Sequence, residues 1–296
     1  MLTNLLFYDK TNYFMTKIKF NILLTSLLLM FISSCSSEEI TVTDIDIEGK
    51  ESYTNTIKDS LVIAHWNIGH FSNGVSNSTR ITEGQYSQKQ IEYVGLLESV
   101  NPDIFGVCEY DDIFSLGGNK SIDAIFYMFN NSAIGPKLSY NCNTIFSKDL
   151  PLYNQILKDF KQRRQARYFN SVDIMVNNKV VKFVETHLDW NEAGVGESCR
   201  KSQIEELISF FSKYDYVIIC GDFNVANKTE YVPFDNAGYK KANCGEFGDF
   251  LTANSARPTL PLDNILVKGL DILKVECFTE PKLSDHCLLR CVVEVK

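Results

Sequence analysis

Apolar residues along this chain recur mainly in short runs, each bounded by polar or turn-forming residues. The runs are rich in β-branched and aromatic side chains, which is typical of strands with at least one buried face. In chain order they read LVIAHWNIG, DIFGVCEY, NTIFSK, ARYFNSVDIMV, KVVKFVETHLDW, DYVIICGDFN, LDNILVKG, LDILKVECF and CLLRCVVEVK. We therefore predict a β-rich domain that begins near Leu61 and continues to the C-terminus.

Two longer segments show helical spacing instead. Apolar residues recur every three or four positions in 88–100, which Asn101-Pro102 terminates, and again in 200–214. Asn177-Asn178 joins two of the predicted strands and suits the left-handed backbone of a tight hairpin. Many strands with few helices between them predict an α/β fold in which two packed sheets are flanked by helices.

Residues 1–34 have the pattern of a secretory signal peptide, with Met15 as the expected start. Lys17 and Lys19 precede an apolar segment shorter than the roughly 20 residues that a membrane-spanning helix needs. The segment ends in ISSC, which resembles a bacterial lipobox and implies that Cys35 is lipidated. The alternative is an ordinary signal peptide that contains a cysteine.

The mature chain is predicted to comprise a tether and one folded domain. Residues 35–60 are mostly polar and suit a flexible tether, whereas 61–296 carry the predicted strands and helices. Glu38 and Glu39 resemble the surface-export signal of Bacteroidetes lipoproteins. We therefore expect a monomer that is anchored by lipid in the cell envelope, at the outer membrane or the cell surface.

Charge and cysteine spacing narrow the candidate chemistry. The formal net charge of -8 provides no global basic field, which argues against a pure DNA-binding protein but not against a nuclease with a metal-containing site. None of the nine cysteines belongs to a CxxC pair, so a zinc site of that type is not expected.

Polar side chains cluster where the predicted strands end. Residues two apart on a strand share a face, so His187 can face the same way as Asp189, and Asp222 the same way as Asn224. Four carboxylates at one such edge would repel by about 4 kcal/mol per close pair, which a hard cation such as Mg²⁺, Mn²⁺ or Ca²⁺ offsets. The strand-end residues are Asn67, Glu109, His187, Asp189, Asp222, Asn224, Asp263, Asp285 and His286.

These residues lie in motifs that resemble, in order, those of the endonuclease/exonuclease/phosphatase family. The motifs are NIG at Asn67, PDIFGVCE at Glu109, THLD at His187, GDFN at Asp222, LDNI at Asp263 and SDH at Asp285. The family includes pancreatic-type deoxyribonucleases, apurinic-site endonucleases, sphingomyelinases and inositol-polyphosphate 5-phosphatases. The resemblance spans nearly the whole mature domain. It implies a four-layer α/β/β/α sandwich of two mixed sheets.

The resemblance also implies a metal site and a phosphate-ester substrate, nucleic acid being one candidate. Glu109 would be the main ligand of Mg²⁺, or of Mn²⁺ or Ca²⁺. Asn67 would assist it, and Asp285 would complete the metal region.

The remaining motif residues would carry the catalytic roles. Asp222 would orient or deprotonate the attacking water, and Asn224 would hold a phosphate oxygen. His187 would contact the phosphate or protonate the leaving oxygen. Asp263 would orient His286, which would stabilise charge that develops on the phosphorus.

Some positions depart from the family pattern. Cys108 stands where a polar neighbour of the glutamate is common, LDN replaces a triplet that ends in an aromatic residue, and SDHCLL lacks a proline. These departures leave metal preference and substrate open. Taken singly, each motif residue could also be a turn, cap, core or surface residue. His65, Trp66, His70, Asp189 and Trp190 are interpreted as structural or rim residues.

One dense basic stretch, KDFKQRRQAR, could dock a nucleic-acid backbone beside the site. Arg163, Arg164 and Arg167 would then form a substrate rim, although a solvated loop explains the same pattern.

Three functions remain open from the sequence. The first is a metal-dependent phosphodiesterase of nuclease type, and the second is a phosphatase or sphingomyelinase-like phospholipase that acts on small or lipid phosphates. The third is a catalytically silent binding lipoprotein on the same scaffold. The intact motif set argues against this third function.

Overall fold

The protein is described here from a computed structural model that covers residues 53–71, 83–110, 124–136, 142–190 and 195–295. The predicted signal peptide, Cys35 and most of the predicted tether lie outside these residues. Within the described ranges, no helix has the length and apolar character required to span a membrane.

The first sheet has six strands and holds both ends of the domain together. Its strands are β1 (Ser60–Asn67), β2 (Ile104–Cys108), β3 (Asn131–Ile134), β4 (Thr144–Ser147), β11 (Asp271–Phe278) and β12 (Leu288–Glu294). They are ordered β11-β12-β1-β2-β4-β3. Only the central pair β1 and β2 is parallel among these neighbours, so the sheet is mixed.

The second sheet also has six strands, in the order β5-β6-β7-β8-β10-β9. Its strands are β5 (Tyr153–Asp159), β6 (Tyr168–Val176), β7 (Lys179–His187), β8 (Val217–Asp222), β9 (Lys240–Lys241) and β10 (Asp263–Lys268). β7 and β8 are parallel, and the other neighbours are antiparallel. The β6–β7 hairpin turns at Asn177 and Asn178, whose φ angles are 51° and 61°, as the sequence predicts.

Helices connect the parallel strand pairs, which a hairpin cannot join. α1 (Glu83–Val100) links β1 to β2, and α3 (Val195–Phe211) links β7 to β8. Both begin earlier than the helical spacing predicts, because their first turns lack the apolar stripe. The short helices α2 (Ala124–Met128) and α4 (Val232–Asn236) lie between other strands.

Three buried apolar clusters lie between the four layers of the fold, which are helices, the first sheet, the second sheet and helices. The middle layer lies between the sheets and includes Ile63, Ile104, Phe183 and Ile218. One outer layer joins the first sheet to α1 and α2, and the other joins the second sheet to α3 and α4. The predicted sandwich of two mixed sheets flanked by helices is confirmed.

Candidate active site between the two sheets

The inner faces of the sheets change from apolar to polar at one end of the sandwich. On β1, Leu61 and Ile63 belong to the middle core, and the next residues on the same face are His65 and Asn67. All four are buried, with at most 1% of their surface exposed. Because alternate residues of a strand share a face, the face of β1 that is apolar at Leu61 and Ile63 becomes polar at His65 and Asn67.

The second sheet places three of the predicted site residues side by side. His187 at the end of β7 pairs in register with Asp222 of β8, and Asp222 pairs with Asp263 of β10. The register of the strands therefore sets the spacing of one histidine and two carboxylates.

Asp222 lies at the centre of this group. Its Oδ2 accepts a hydrogen bond from Asn67 Nδ2 at 3.0 Å and lies 3.4 Å from His187 Nε2 and 3.9 Å from His286 Nε2. Its Oδ1 accepts from the backbone N–H of Asn224 at 2.9 Å. Burial, and then the charge of Asp263, raise the pKa of Asp222 to about 6. A carboxylate with this pKa can accept a proton near neutral pH.

Asp263 and His286 form a short buried pair. His286 Nδ1 lies 2.7 Å from Asp263 Oδ2. Burial lowers the pKa of His286, but Asp263 outweighs burial and the net pKa is well above the ordinary histidine value. His286 therefore carries positive charge beside Asp222, as its predicted role requires.

His187 differs from His286 in charge state. Burial and the nearby Arg167 guanidinium lower the pKa of His187 well below its usual value. A neutral His187 can donate one hydrogen bond to a phosphate oxygen but holds no spare proton at neutral pH. Of its two predicted roles, phosphate contact fits this charge state better than protonation of the leaving oxygen.

Glu109 faces the opening of the site from the first sheet. Its side chain is 17% exposed, and its Oε2 lies 2.9 Å from Nε2 of His70. Burial would raise the pKa of Glu109, but the hydrogen bond and charge of His70 and the positive charge of His286 lower it to about 2. The carboxylate is therefore ionised and partly accessible, which suits a metal ligand.

Asn67 binds two carboxylates in the structure. Its Nδ2 donates to Glu109 at 3.3 Å and to Asp222 at 3.0 Å, and its Oδ1 accepts from the backbone N–H of Gly69 at 3.0 Å. This orientation aligns the two acids. The role of Asn67 as a metal ligand stays a prediction.

The acidic groups fit a divalent cation. Burial raises the pKa of Asp285, the positive charge of His286 lowers it, and repulsion from the Glu109 carboxylate raises it further. A hard cation held by Glu109 and Asp285 would relieve this repulsion, and oxygen donors of this kind are those that Mg²⁺, Mn²⁺ and Ca²⁺ accept.

Three residues of the site have a left-handed backbone. The φ angles of His70, Glu109 and Asn224 are 52°, 53° and 53°. Such angles are unfavourable for residues other than glycine and cluster at functional sites, where the surrounding fold imposes them. They lie three, one and two residues after the ends of β1, β2 and β8, respectively. Asn224 Nδ2 donates to the Leu188 carbonyl at 3.0 Å, which leaves its second amide hydrogen for a ligand oxygen.

The predicted rim needs one correction. Arg167 is only 5% exposed, and its Nε lies 3.8 Å from Asp189 Oδ1, because the residue directly precedes β6 and its side chain enters the protein. Arg163 forms an ion pair with Asp159 at 2.7 Å, and Lys158 forms one with Glu206 at 3.0 Å. Arg167 is thus a buried neighbour of the site, and much of the remaining basic charge is neutralised.

His65 and Glu185 also belong to the site. The sequence interpretation left His65 as a structural or rim residue and did not single out Glu185. His65 Nε2 lies 3.1 Å from Asp263 Oδ1, and His65 Nδ1 lies 3.1 and 3.3 Å from the two carboxylate oxygens of Glu185. Burial lowers the pKa of His65, but Glu185 and Asp263 raise it to about 10 overall. The available signal was the strand period, since His65 precedes Asn67 by two residues and Glu185 precedes His187 by two.

Two groups of potential metal ligands occur among the described residues. Asp222, Asp263 and His286 form one, and His65, Cys108 and Glu185 form the other. In both groups the imidazole already faces carboxylates, so hydrogen bonding accounts for the clustering without a metal ion.

The fold is similar to that of several solved structures. D. rerio TDP2 complexed with single strand DNA product has a TM-score of 0.64 at 14% identity, covering 80% of this chain and 100% of that one. The human Nocturnin catalytic domain with bound sulfate anion gives 0.62 at 15% identity, with 81% and 96% covered. An endonuclease/exonuclease/phosphatase from Bacteroides vulgatus gives 0.61 at 16% identity, with 81% and 100% covered. These likenesses establish the endonuclease/exonuclease/phosphatase fold.

By sequence alone, no family model and no curated protein matches this chain.

Proposed function

We propose that this protein is a divalent-metal-dependent phosphoesterase, with phosphodiesters of nuclease type as its leading substrate class. The observation that carries the proposal is the placement of Asp222, which has a pKa of about 6, between neutral His187 and positively charged His286. A base, a neutral hydrogen-bond donor and a cation around one opening are the groups that hydrolysis at phosphorus requires.

Each residue then has a defined task. Asp222 orients a water molecule and accepts its proton as the water oxygen bonds to the phosphorus. The bond from phosphorus to the leaving oxygen breaks, and the leaving oxygen takes a proton from solvent. His286, held by Asp263, stabilises the negative charge that develops on the phosphate oxygens. Asn224 and His187 donate hydrogen bonds to those oxygens. A divalent ion held by Glu109 and Asp285 would supply additional positive charge at the phosphate.

Two of the similar structures support a phosphate ester as the substrate class. The D. rerio TDP2 structure contains a single strand DNA product, and the Nocturnin catalytic domain contains a sulfate anion, which has the shape and charge sign of a phosphate group. The sequence resemblance to phosphoesterases at Asn67, Glu109, His187, Asp222, Asp263 and His286 points the same way.

A second candidate is a phosphatase or phospholipase that acts on small or lipid phosphates. It is favoured by the net charge of -8 and by the ion pairs that neutralise Lys158 and Arg163, which together leave little basic surface on this segment for a long polyanion. Assays of the purified domain with Mg²⁺ or Mn²⁺ against DNA, RNA, sphingomyelin, inositol phosphates and a chromogenic diester separate the two candidates.

Arg167 is expected to contact a phosphate oxygen of the substrate. It is buried, close enough to Glu109 and Asp222 to interact with their charges, and its Nε has no hydrogen-bond partner among the described residues. Arg167→Met should therefore lower kcat/KM by about 10- to 100-fold, the usual cost of one hydrogen bond to a charged group. Steady-state kinetics on a chromogenic phosphodiester measure this effect.

The matched control for Arg167 is the double variant Arg163→Ala with Arg164→Ala, which removes charge from the exposed part of the same segment. It should leave turnover of the small diester unchanged. If nucleic acid is the substrate, the same variant should lower the salt slope of binding by about one to two units. Wild-type kinetics for Arg167→Met would remove Arg167 from the site.

Export and lipid anchoring at Cys35 form part of the proposal. Cys35→Ser should move the protein from the membrane fraction to the soluble fraction, because signal cleavage removes the apolar segment and a thiol is needed for lipidation. Fractionation followed by immunoblotting measures the shift. Ser36→Ala, which leaves the thiol intact, is the control, and an unchanged distribution for Cys35→Ser would contradict anchoring through this residue.

A further inference from the structure

Behind the proposed catalytic residues, four side chains form a continuous chain of polar contacts through the middle of the sandwich. Glu185 faces Nδ1 of His65, Nε2 of His65 faces Oδ1 of Asp263, and Oδ2 of Asp263 faces Nδ1 of His286. The distances along this chain are 3.3, 3.1 and 2.7 Å. His65 and Glu185 are fully buried, and neither lies at the opening of the site.

This chain of hydrogen bonds fixes both carboxylate oxygens of Asp263. One is bound by His286, which the proposed reaction uses, and the other is bound by His65, which the reaction does not use. The backbone N–H of Asp263 donates to Thr252 Oγ1 at 3.0 Å, so the backbone at this position is fixed as well. Without His65, one oxygen of a buried carboxylate would lose its partner and the carboxylate could rotate about its Cβ–Cγ bond.

Glu185 in turn fixes the ring of His65. An imidazole between two carboxylates keeps its plane and presents Nε2 to Asp263, just as the partner of a metal-bound histidine fixes the tautomer of that histidine. The first sheet leaves room for the Glu185 carboxylate at Gly106 of β2, where a Cβ atom would overlap Glu185 Oε2. The facing sheet is thus shaped around this side chain.

We infer that His65 and Glu185 are positioning residues, which hold the Asp263 carboxylate in the one orientation that places His286 beside the substrate phosphate. The inference rests on the proposed function for its kinetic consequence, but the hydrogen-bond chain can be tested without any substrate.

The kinetic test compares variants of His65 and Glu185 on a chromogenic phosphodiester. His65→Leu and Glu185→Leu should each lower kcat about 10- to 100-fold, because small misplacement of catalytic groups has effects of this size. KM should stay within about twofold, since neither residue touches substrate. Glu185→Gln keeps an acceptor for His65 Nδ1 and should recover most of kcat. Equal losses for Glu185→Gln and Glu185→Leu would overturn a positioning role for Glu185.

A double variant separates positioning from folding. His65→Leu with Glu185→Leu replaces a buried charged pair by two apolar residues, a change that proteins commonly tolerate. We expect its Tm to recover towards wild type, while kcat stays as low as in His65→Leu. The matched control is Asp173→Asn, which breaks the buried Asp173–Lys182 pair elsewhere in the second sheet. That variant should lose stability but keep kcat, and recovery of kcat together with Tm in the double variant would contradict positioning.

The spectroscopic test is independent of activity. The protein has four histidines, so ¹⁵N-histidine labelling gives few ring N–H signals to assign. His286 Nδ1–H should give a slowly exchanging, downfield proton that shifts or broadens in His65→Leu and stays unchanged in Asp173→Asn. If the wild-type protein hydrolyses no phosphate ester, the proposed function fails, but this signal still tests whether His65 fixes the Asp263–His286 hydrogen bond. An unchanged His286 signal in His65→Leu would overturn the inference.

Discussion

Asp222→Asn should lower kcat at least about 100-fold while KM changes little. The substitution keeps the size of the side chain and an oxygen that accepts from the backbone N–H of Asn224. Its amide nitrogen cannot accept the hydrogen bond from Asn67, and it cannot accept the proton of the attacking water. Losses of about 10²- to 10⁴-fold are usual when a general base is removed. Initial rates on a chromogenic phosphodiester with saturating Mg²⁺ or Mn²⁺ measure the effect.

The loss of activity should not come from unfolding. Burial and Asp263 raise the pKa of Asp222 above its ordinary value, so the folded protein holds that proton more tightly than the unfolded chain does. Ionisation of Asp222 therefore lowers stability as the pH rises through about 6. A neutral Asn removes this cost but loses the hydrogen bond from Asn67, so the Tm at pH 7 should stay close to that of the wild-type protein. A variant with a near-wild-type rate would show that Asp222 is not the base.

Removing divalent metal should abolish hydrolysis, and adding Mg²⁺, Mn²⁺ or Ca²⁺ back should restore it to an extent that depends on the ion. The ionised carboxylate of Glu109, beside Asp285, is the group that we expect to bind the ion. Metal binding to the folded state should also raise the Tm. At a metal concentration 100 times the Kd, binding adds about 2.7 kcal/mol to the free energy of unfolding. Activity after chelation and thermal melts with each ion measure the two effects.

Two variants locate the metal effect. Glu109→Gln should lose the metal-dependent rise in Tm, whereas Asp249→Asn, in the exposed Lys228–Asp249 ion pair, should keep it. Full activity in chelator, with no metal detected by elemental analysis of the same sample, would contradict metal dependence.

The central strands could be predicted from the sequence because they are buried on both faces. β8 is buried along its whole length and β6 along all but one residue, so both appear as apolar runs. β5 was missed because it is an edge strand whose residues are all exposed or only partly buried. β3 was missed for a similar reason, since only one of its four residues is buried.

The outer ring of the site could be predicted for a different reason. Asp222, His187 and Glu109 end apolar runs, and polar residues at strand ends stand out in a sequence. His65 and Glu185 lie inside such runs, where a polar side chain is usually a satisfied core residue. Their pairing joins strands of opposite sheets, and no local pattern reveals which strands will face each other. Arg167 was assigned to the rim because it closes a basic run, and its burial follows from the start of β6 at the next residue.

The most direct measurement is hydrolysis in ¹⁸O-labelled water by the metal-loaded protein, with a phosphate diester and a phosphate monoester as substrates. We expect one ¹⁸O atom in the phosphate product for each ester bond cleaved, because water attacks the phosphorus, and an initial rate of label incorporation at least about 100-fold lower with Asp222→Asn under the same conditions. Absence of labelled product from both ester classes with the wild-type protein, or equal initial rates of label incorporation by wild-type protein and Asp222→Asn, would contradict metal-dependent hydrolysis with Asp222 as the base.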